Sequence, residues 1–144
     1  MIFIDTWIWL EFLGESSGMA SDVVAMPDKI TSTAALLEVK YHSSKRFSHE
    51  NAEKIIYLIE NDHSTTILPL NIHIAKLAAN LKLKYYDKKN RPISFIDCIN
   101  LATAISSGCD KFYTGDPDFD GISEIEIKNI RQQIPSDRKN AKEK

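Results

Sequence analysis

The sequence predicts an α/β sandwich built around a parallel sheet, and three features of its patterning carry this prediction. Short β-type segments alternate with longer segments whose apolar residues have helical spacing, which is typical of βαβ units. Residues 2–4 form a continuous apolar run, as expected of a strand buried on both faces of a parallel sheet. At 144 residues and without internal repeats, the chain is most simply one domain.

Five segments are predicted to be strands from their residue types. Residues 65–70 are β-branched and apolar, and residues 124–128 alternate polar and apolar side chains, which is the period of a half-buried strand. The full set of predicted strands is residues 2–4, 29–31, 65–70, 111–114 and 124–128.

Five longer segments are predicted to be helices. Residues 71–86 are strongly amphipathic, Ser48 is a plausible N-cap, and Gly108 ends the last helix. The predicted helices are residues 6–12, 34–47, 48–59, 71–86 and 94–107. Residues 15–28, which contain Gly18 and Pro27, are predicted to form a loop around a short helix.

Charge and composition narrow the class of protein. The formal net charge of −2 gives no general attraction to nucleic acid or membrane, so any such contact must be local. Asp5 and Glu11 interrupt the apolar N-terminal run, so neither a signal peptide nor a membrane span is predicted. Cys98 and Cys109 are too few for a disulfide framework, which favours a cytoplasmic protein.

Four carboxylates occur either directly after a predicted strand or within an apolar helical turn. Asp5 ends the first predicted strand and Asp116 follows the fourth, and ligands of parallel sheets bind beyond the carboxyl ends of the strands. Glu38 and Asp97 lie in largely apolar helical turns, where burial is costly unless the charge is paired or bound to a cation. If the four converge, they cannot all remain ionised without a cation, and an all-oxygen cluster suits Mg²⁺ or Mn²⁺.

Each acid also has a purely structural interpretation. Asp97 follows Ser94 by three residues and could complete a capping box, whereas Asp5 could cap the next helix and Asp116 could be a turn residue. Glu38 could instead pair in solvent with Lys45 or His42.

The acidic loop after the fourth strand does not match a calcium-binding loop. Asp116, Asp118 and Asp120 alternate before Gly121, but the twelfth position counted from Asp116 is Ile127 rather than a glutamate. The flanking segments have strand patterns, whereas an EF-hand requires helices on both sides.

Four motifs, taken in order, resemble those of a PIN domain, and the likeness is greatest to the VapC-type ribonuclease toxins of toxin–antitoxin pairs. The motifs are residues 2–6 (IFIDT), Glu38 in an apolar helix, Asp97 at the start of a helix, and residues 114–119 (TGDPDF). The resemblance spans residues 1–130 and implies a three-layer α/β/α sandwich with a central parallel sheet. Residues 131–144 are predicted to be a polar, basic C-terminal tail.

The resemblance implies specific roles at the site of a metal-dependent endoribonuclease. It makes Asp5, Glu38, Asp97 and Asp116 the catalytic acids, with Mg²⁺ or Mn²⁺ held by Asp5, Asp97, Asp116 and the auxiliary Asp118. Thr6 and Thr114 match hydroxyl positions beside these acids. The sequence has Trp7 where the family often has Asn or Ser, which leaves open any polar contact from that position.

The resemblance also implies partners, namely an RNA substrate, an antitoxin protein and a second copy of the chain in a homodimer. An RNA-guiding surface is predicted at the basic cluster that leads into the Asp97 helix, although a solvated loop explains it as well. The candidate RNA-binding residues of this cluster are Lys84, Lys88, Lys89 and Arg91, with Lys82, Tyr85 and Tyr86 interleaved.

Two other functions remain open at the level of sequence. A metal-dependent phosphatase or phosphotransferase would use the same paired aspartates, although the chain has no Gly-rich phosphate loop. A catalytically inactive PIN-fold module that binds RNA or protein would retain the fold without the reaction, and the complete set of four acids argues against it.

Overall fold

A computed structural model describes residues 1–14 and 18–133, and its centre is a five-stranded sheet in which all neighbouring strands are parallel. The strand order is β3-β2-β1-β4-β5. The strands are β1 (Ile2–Ile4), β2 (Lys29–Ser32), β3 (Thr65–Leu68), β4 (Lys111–Thr114) and β5 (Glu126–Asn129). The predicted α/β fold with a central parallel sheet is therefore confirmed.

Six α-helices in the described part of the chain cover the two faces of this sheet. They are α1 (Thr6–Leu13), α2 (Gly18–Val24), α3 (Thr33–Arg46), α4 (His49–Glu60), α5 (Ile72–Tyr85) and α6 (Phe95–Ser106). Two short 3-10 helices, Pro117–Phe119 and Ile130–Gln133, follow β4 and β5. None of these helices is long and apolar enough to cross a membrane.

Two hydrophobic cores, one on each face, form the layers. Phe3 of β1 packs with α5 and α6, whereas its neighbour Ile4 packs with α1 to α4, because successive side chains of a strand point to opposite faces. In the first core, the rings of Phe3 and Phe112 stack with centroids 5.1 Å apart. Both phenylalanines are fully buried. The outcome is an α/β/α sandwich with β1 at its centre.

Several boundaries differ from those predicted. Strand β3 ends at Leu68 rather than at residue 70, and the next residue is Pro69, which has no N–H to continue a ladder. Strand β5 begins at Glu126 rather than at residue 124, and the Glu124 carboxylate accepts hydrogen bonds from the Tyr85 hydroxyl and the Lys84 ammonium. On α3, Leu37 and Tyr41 share an exposed face.

Two sequence predictions extend past the described residues. The loop predicted around a short helix contains helix α2, and residues 15–17 lie outside the described part of the chain. The predicted tail starts within the second 3-10 helix, and residues 134–144 likewise lie outside the described part.

A buried lysine fastens the amino-terminal edge of the sheet. Lys29 is 1% exposed, and its ammonium group donates to the Met26 carbonyl at 2.6 Å and to the Ser64 hydroxyl at 2.5 Å. It also forms an ion pair with Asp62 at 3.3 Å. Burial acts to raise the pKa of Asp62, but hydrogen bonds from Ser64 and Thr65 and the charge of Lys29 outweigh burial and lower this pKa below its usual value. These contacts lie at the amino end of β2, whereas Asp5 and Thr114 lie at the opposite, carboxyl edge of the sheet.

Candidate metal centre

The carboxyl ends of three central strands meet at one edge of the sheet. Residues Ile4 of β1 and Tyr113 of β4 are paired in register, so Asp5 and Thr114 emerge side by side. The chain after β4 turns immediately into the acidic loop, and Ser32 ends the neighbouring β2. The strand order therefore places the first and the last acidic motif of the sequence at the same rim.

Three carboxylates form a compact group there, which we call the acidic trio: Asp97, Asp116 and Asp118. Each offers one oxygen, and these oxygens all lie within 4.8 Å of one another. All three side chains are partly exposed, so solvent and a ligand can reach them. Two of these acids follow β4 and one opens α6, so the trio depends on the packing of that helix against the sheet edge.

Asp5 lies beside the acidic trio but is far more deeply buried, at 3% exposure. Its two carboxylate oxygens accept hydrogen bonds from the Asn100 amide at 3.1 Å and from the Thr114 hydroxyl at 2.8 Å. Loss of hydration and the nearby charges of Asp97 and Glu38 raise the pKa of Asp5 to about 7, although the Thr114 hydrogen bond acts in the opposite direction. A carboxylate in this position is ionised at neutral pH only at a cost.

Asp97 has two roles, because the capping box predicted from the sequence is also present. The Ser94 N–H donates to one Asp97 oxygen at 3.0 Å, and the Asp97 N–H donates to the Ser94 hydroxyl at 3.0 Å. Burial raises the pKa of Asp97 to about 6, and the charges of Asp116 and Glu38 add to this, while the hydrogen bonds with Ser94 oppose it. The helix cap therefore fixes a carboxylate that also belongs to the acidic trio.

Glu38 of α3 accepts a hydrogen bond from the Thr6 hydroxyl at 2.8 Å. This contact replaces the alternative pairing with Lys45 or His42. Glu38 is partly exposed, and its charge raises the pKa of both Asp5 and Asp97, which places it on the same side of the molecule. Asp5 and Glu38 are not members of the 4.8 Å trio; they flank it.

Hydrogen bonds to side-chain oxygens fix the conformation of the acidic loop. Asp116 caps the first 3-10 helix by accepting the Asp118 N–H at 2.8 Å, and the Asp116 N–H donates to the Thr114 hydroxyl at 3.0 Å. Asp120 is structural, since its carboxylate accepts a hydrogen bond from Asn129 at 3.0 Å. The loop therefore presents Asp116 and Asp118 from a defined backbone.

Sequence reasoning missed the buried Asn100, which orients Asp5, and the buried Ser32, which holds Asn100. Asn100 is fully buried on α6, and its amide oxygen accepts the Ser32 hydroxyl at 2.5 Å while its amide nitrogen donates to Asp5. Ser32 also caps α3 by accepting the Ala35 N–H at 2.9 Å. A signal was present, because Asn100 follows Asp97 by three residues and so lies on the same side of the helix.

Trp7, which stands where the family often has Asn or Ser, has a packing role in this structure. Its ring lies against the backbone of Gly115: a Cβ atom at Gly115 would be 2.3 Å from two ring atoms of Trp7. The residue preceding Asp116 must therefore be glycine while the tryptophan is in place. Trp7 braces the acidic loop by packing.

Replacing Gly115 by alanine is expected to lower the free energy of unfolding by about 1–3 kcal/mol, as overpacking commonly does. The added methyl group would overlap the rigid Trp7 ring, so either the ring or the acidic loop must shift. Urea denaturation measures the loss. Gly18→Ala is the matched control, since nothing lies within 4 Å of its Cβ position. Equal stability of the Gly115→Ala protein and the wild type would show that the ring moves away without cost.

Of the four candidate RNA-binding residues, two are held by contacts within the protein, and the other two are exposed to solvent. Lys84 forms an ion pair with Glu124 at 2.9 Å, and the Arg91 guanidinium donates to the backbone oxygens of Asp118 at 3.1 Å and Asp120 at 2.5 Å. Arg91 thus supports the acidic loop directly. The side chains of Lys88 and Lys89 are exposed, and within residues 1–14 and 18–133 no acidic side chain forms an ion pair with either.

The donor set of the acidic trio fits a hard divalent cation. Its members are all carboxylates, with no histidine or cysteine among them, and such oxygen ligands suit Mg²⁺ or Mn²⁺. The raised pKa values of Asp5 and Asp97 have the same physical origin, namely several negative groups close together and partly removed from water. A cation bound at the trio would relieve that repulsion.

These features define an α/β fold with an acidic site at the carboxyl edge of its sheet. The family model for the PIN domain matches residues 2–125, so this chain belongs to the PIN-domain family. No protein of curated function matches the chain significantly in sequence.

The solved structures that resemble this chain include toxins of VapBC toxin–antitoxin systems. VapC20 of Mycobacterium tuberculosis, described as a toxin that cleaves the sarcin–ricin loop, superposes with a TM-score of 0.71 and 21% identity over 88% of this chain and 99% of that one. VapBC2 of Rickettsia felis, bound to a promoter DNA fragment, superposes with a TM-score of 0.72 and 16% identity over 90% of this chain and 98% of that one. A toxin–antitoxin complex of Klebsiella pneumoniae superposes with a TM-score of 0.65 and 20% identity over 87% of this chain and 95% of that one. At these identities the likeness is one of fold.

Proposed function

We propose that this protein is a Mg²⁺- or Mn²⁺-dependent endoribonuclease and the toxin of a type II toxin–antitoxin pair. The observation that carries the proposal is the acidic trio beside the buried Asp5, at the sheet edge of a PIN domain. An acidic site of this kind repels a phosphodiester unless a cation changes the local sign of the charge. The similarity in fold to VapC toxins supports the assignment of RNA as substrate.

In the proposed mechanism the carboxylates hold the cation and position the reacting groups. Asp97, Asp116 and Asp118 would hold the cation, and Asp5 would add a further negative charge beside them. A bound divalent cation would lower the pKa of water and neutralise charge that develops on the phosphate. Glu38, which accepts a hydrogen bond from the Thr6 hydroxyl, would orient the attacking water and accept its proton.

The residues around the acids maintain this geometry. Asn100 and Thr114 hold both oxygens of Asp5, so that its carboxylate has one orientation. Thr114 also accepts the Asp116 N–H and thereby links the two strand-end acids. Hydrolysis by water, without attack by the ribose 2′-hydroxyl, would leave a 5′-phosphate and a 3′-hydroxyl.

The proposed partners are an antitoxin and a second copy of the chain. Toxin–antitoxin complexes among the similar structures support the antitoxin. Exposed apolar side chains on α3 and α4, among them Leu37, Tyr41 and Leu58, offer surface for protein contacts. Light scattering of the isolated chain tests the homodimer, and a monomeric mass at high concentration would contradict it.

The proposed activity is tested by incubating the chain with structured and single-stranded RNA in Mn²⁺, and again with a chelator. We expect RNA products with 5′-phosphate ends only in Mn²⁺. Nucleoside monophosphates serve as the second substrate, because a phosphatase would release inorganic phosphate from them. Release of phosphate without RNA cleavage would support a phosphatase, and no reaction with either substrate would support a binding module.

Replacing Lys88 and Lys89 together by glutamine is expected to weaken binding of single-stranded RNA and to leave the free energy of unfolding unchanged. Both side chains are exposed and lie in the loop between α5 and α6. If both contact phosphates, the slope of log affinity against log salt concentration should become shallower by about 1.4, that is, ~0.7 per contact. Fluorescence anisotropy in Ca²⁺ measures this slope. Lys76→Gln, also exposed and on α5, is the control, and an unchanged slope would remove the pair from the RNA surface.

A further inference from the structure

An exposed ring stands at the start of the helix that carries Asp97. Phe95 is the first residue of α6, and its side chain is 69% exposed although it follows the buried Ile93 by only two positions. Asp97 lies two residues further along the same turn, and because residues at this spacing point to different sides of a helix, the ring and the carboxylate flank the first turn of α6. The capping box does not need a large apolar side chain at this position, because only Ser94 and Asp97 form it.

A lysine lies between this ring and a second exposed aromatic side chain. The Lys82 ammonium is 4.6 Å from the centroid of the Phe95 ring and 4.2 Å from that of the Tyr86 ring. It donates to the Ile93 carbonyl at 2.5 Å, which fixes its position and leaves two of its three N–H donors. Tyr86 is 48% exposed. Two rings and a fixed cation therefore share one surface at the end of α5 and the start of α6.

We propose that Phe95, with Tyr86 and Lys82, forms a stacking subsite for an unpaired nucleobase of the RNA, on the helical turn that also carries Asp97 of the acidic trio. This inference rests on the proposed function and adds to it a residue that binds the substrate without taking part in the reaction.

The chemistry of this surface matches a nucleotide better than it matches an apolar partner. A base of any type can stack on an aromatic face, and the Lys82 ammonium, which lies over one face of each ring, is placed for the adjoining phosphate. The exposed Lys88 and Lys89 lie in the loop between the two helices and extend the positive charge along the same path. Stacking at a subsite on the same helical turn as Asp97 would fix the register of the strand relative to the cleaved bond.

The test compares binding of a fluorescein-labelled 12-nucleotide oligoadenylate with binding of an abasic ribose-phosphate oligomer of the same length. Anisotropy is measured in Ca²⁺, which avoids dependence on cleavage. We expect the wild type to prefer the oligoadenylate by roughly tenfold, a ratio within the range measured for stacking on a single ring. Phe95→Ala should lose most of this preference while its affinity for the abasic oligomer is unchanged, and Phe95→Tyr should retain the preference.

Leu83→Ala is the matched control, because Leu83 is 84% exposed on α5 and has no ring. The proposal is overturned if Phe95→Ala retains the preference, or if Leu83→Ala loses it to the same extent. Failure here is separate from failure of the nuclease assignment. Mn²⁺-dependent cleavage with no role for Phe95 would reject the subsite alone, whereas Phe95-dependent binding without cleavage would reject the nuclease alone.

Discussion

Replacing Asp97 by asparagine is expected to reduce metal-dependent RNA cleavage at least about 100-fold, which corresponds to ~2.7 kcal/mol of transition-state stabilisation. The amide removes a negative ligand from the acidic trio. Its oxygen can still accept the Ser94 N–H, so the capping box and helix α6 should persist. Activity and stability should therefore separate in this variant. Initial cleavage rates in Mn²⁺ and urea denaturation of the same preparation measure the two.

Asp22→Asn is the matched control for this change. Asp22 is an exposed aspartate on α2, outside the acidic trio, and the same substitution there should leave cleavage unaffected. If the Asp97→Asn protein cuts RNA at the wild-type rate, Asp97 has no part in the mechanism. If it loses its fold together with its activity, the capping role explains the loss, and the ligand role must be tested at Asp116 instead.

The second large expected effect is a dependence of the melting temperature on pH and on bound metal. In a chelator, the melting temperature is expected to fall as the pH rises from about 4 to about 7. Asp5 has a pKa of about 7 in the folded protein and Asp97 one of about 6, both raised from 3.8. The folded state thus binds more protons than the unfolded state across this window. By linkage, unfolding then becomes easier as pH increases, and the loss is complete above the folded-state pKa values.

Mn²⁺ is expected to reverse this fall in melting temperature. A bound cation stabilises the ionised carboxylates, which repel one another in the folded protein when no cation is present. The rise in melting temperature on adding Mn²⁺ should be larger at pH 8 than at pH 5, where protons compete for the same oxygens. Thermal denaturation with and without Mn²⁺ at the two pH values measures the difference. Asp97→Asn should reduce both the pH slope in chelator and the effect of Mn²⁺. Equal Mn²⁺ effects at the two pH values in the wild type would contradict a site built from these acids.

Local patterns in the sequence were sufficient for much of the fold. The apolar run at Ile2–Ile4, the β-branched start of β3 and the helical spacing of α5 each depend on neighbours in sequence. The Ser94–Asp97 capping box spans four residues, and the sequence already offered it as a structural interpretation of Asp97. The common rim of Asp5 and Asp116 followed from a general property of parallel sheets.

Features that depend on contacts between distant segments were not predictable in the same way. Asn100 bonds Asp5 across 95 positions of the chain and Ser32 across 68, so its position three residues after Asp97 could indicate its side of the helix but not these partners. The buried Lys29 looked like an ordinary start of a strand, since its partners Ser64 and Asp62 come from another loop. The basic cluster was treated as one group, whereas Lys84 and Arg91 are engaged by segments 40 and 27 positions away.

The most direct test of the central claim is a crystal of the chain grown above pH 7 and soaked in Mn²⁺, measured at a wavelength where manganese scatters anomalously. The account predicts an anomalous peak bounded by the carboxylates of Asp97, Asp116 and Asp118, with Asp5 as its buried neighbour. The absence of a peak among these side chains at saturating Mn²⁺, or a peak only elsewhere on the protein, would contradict it.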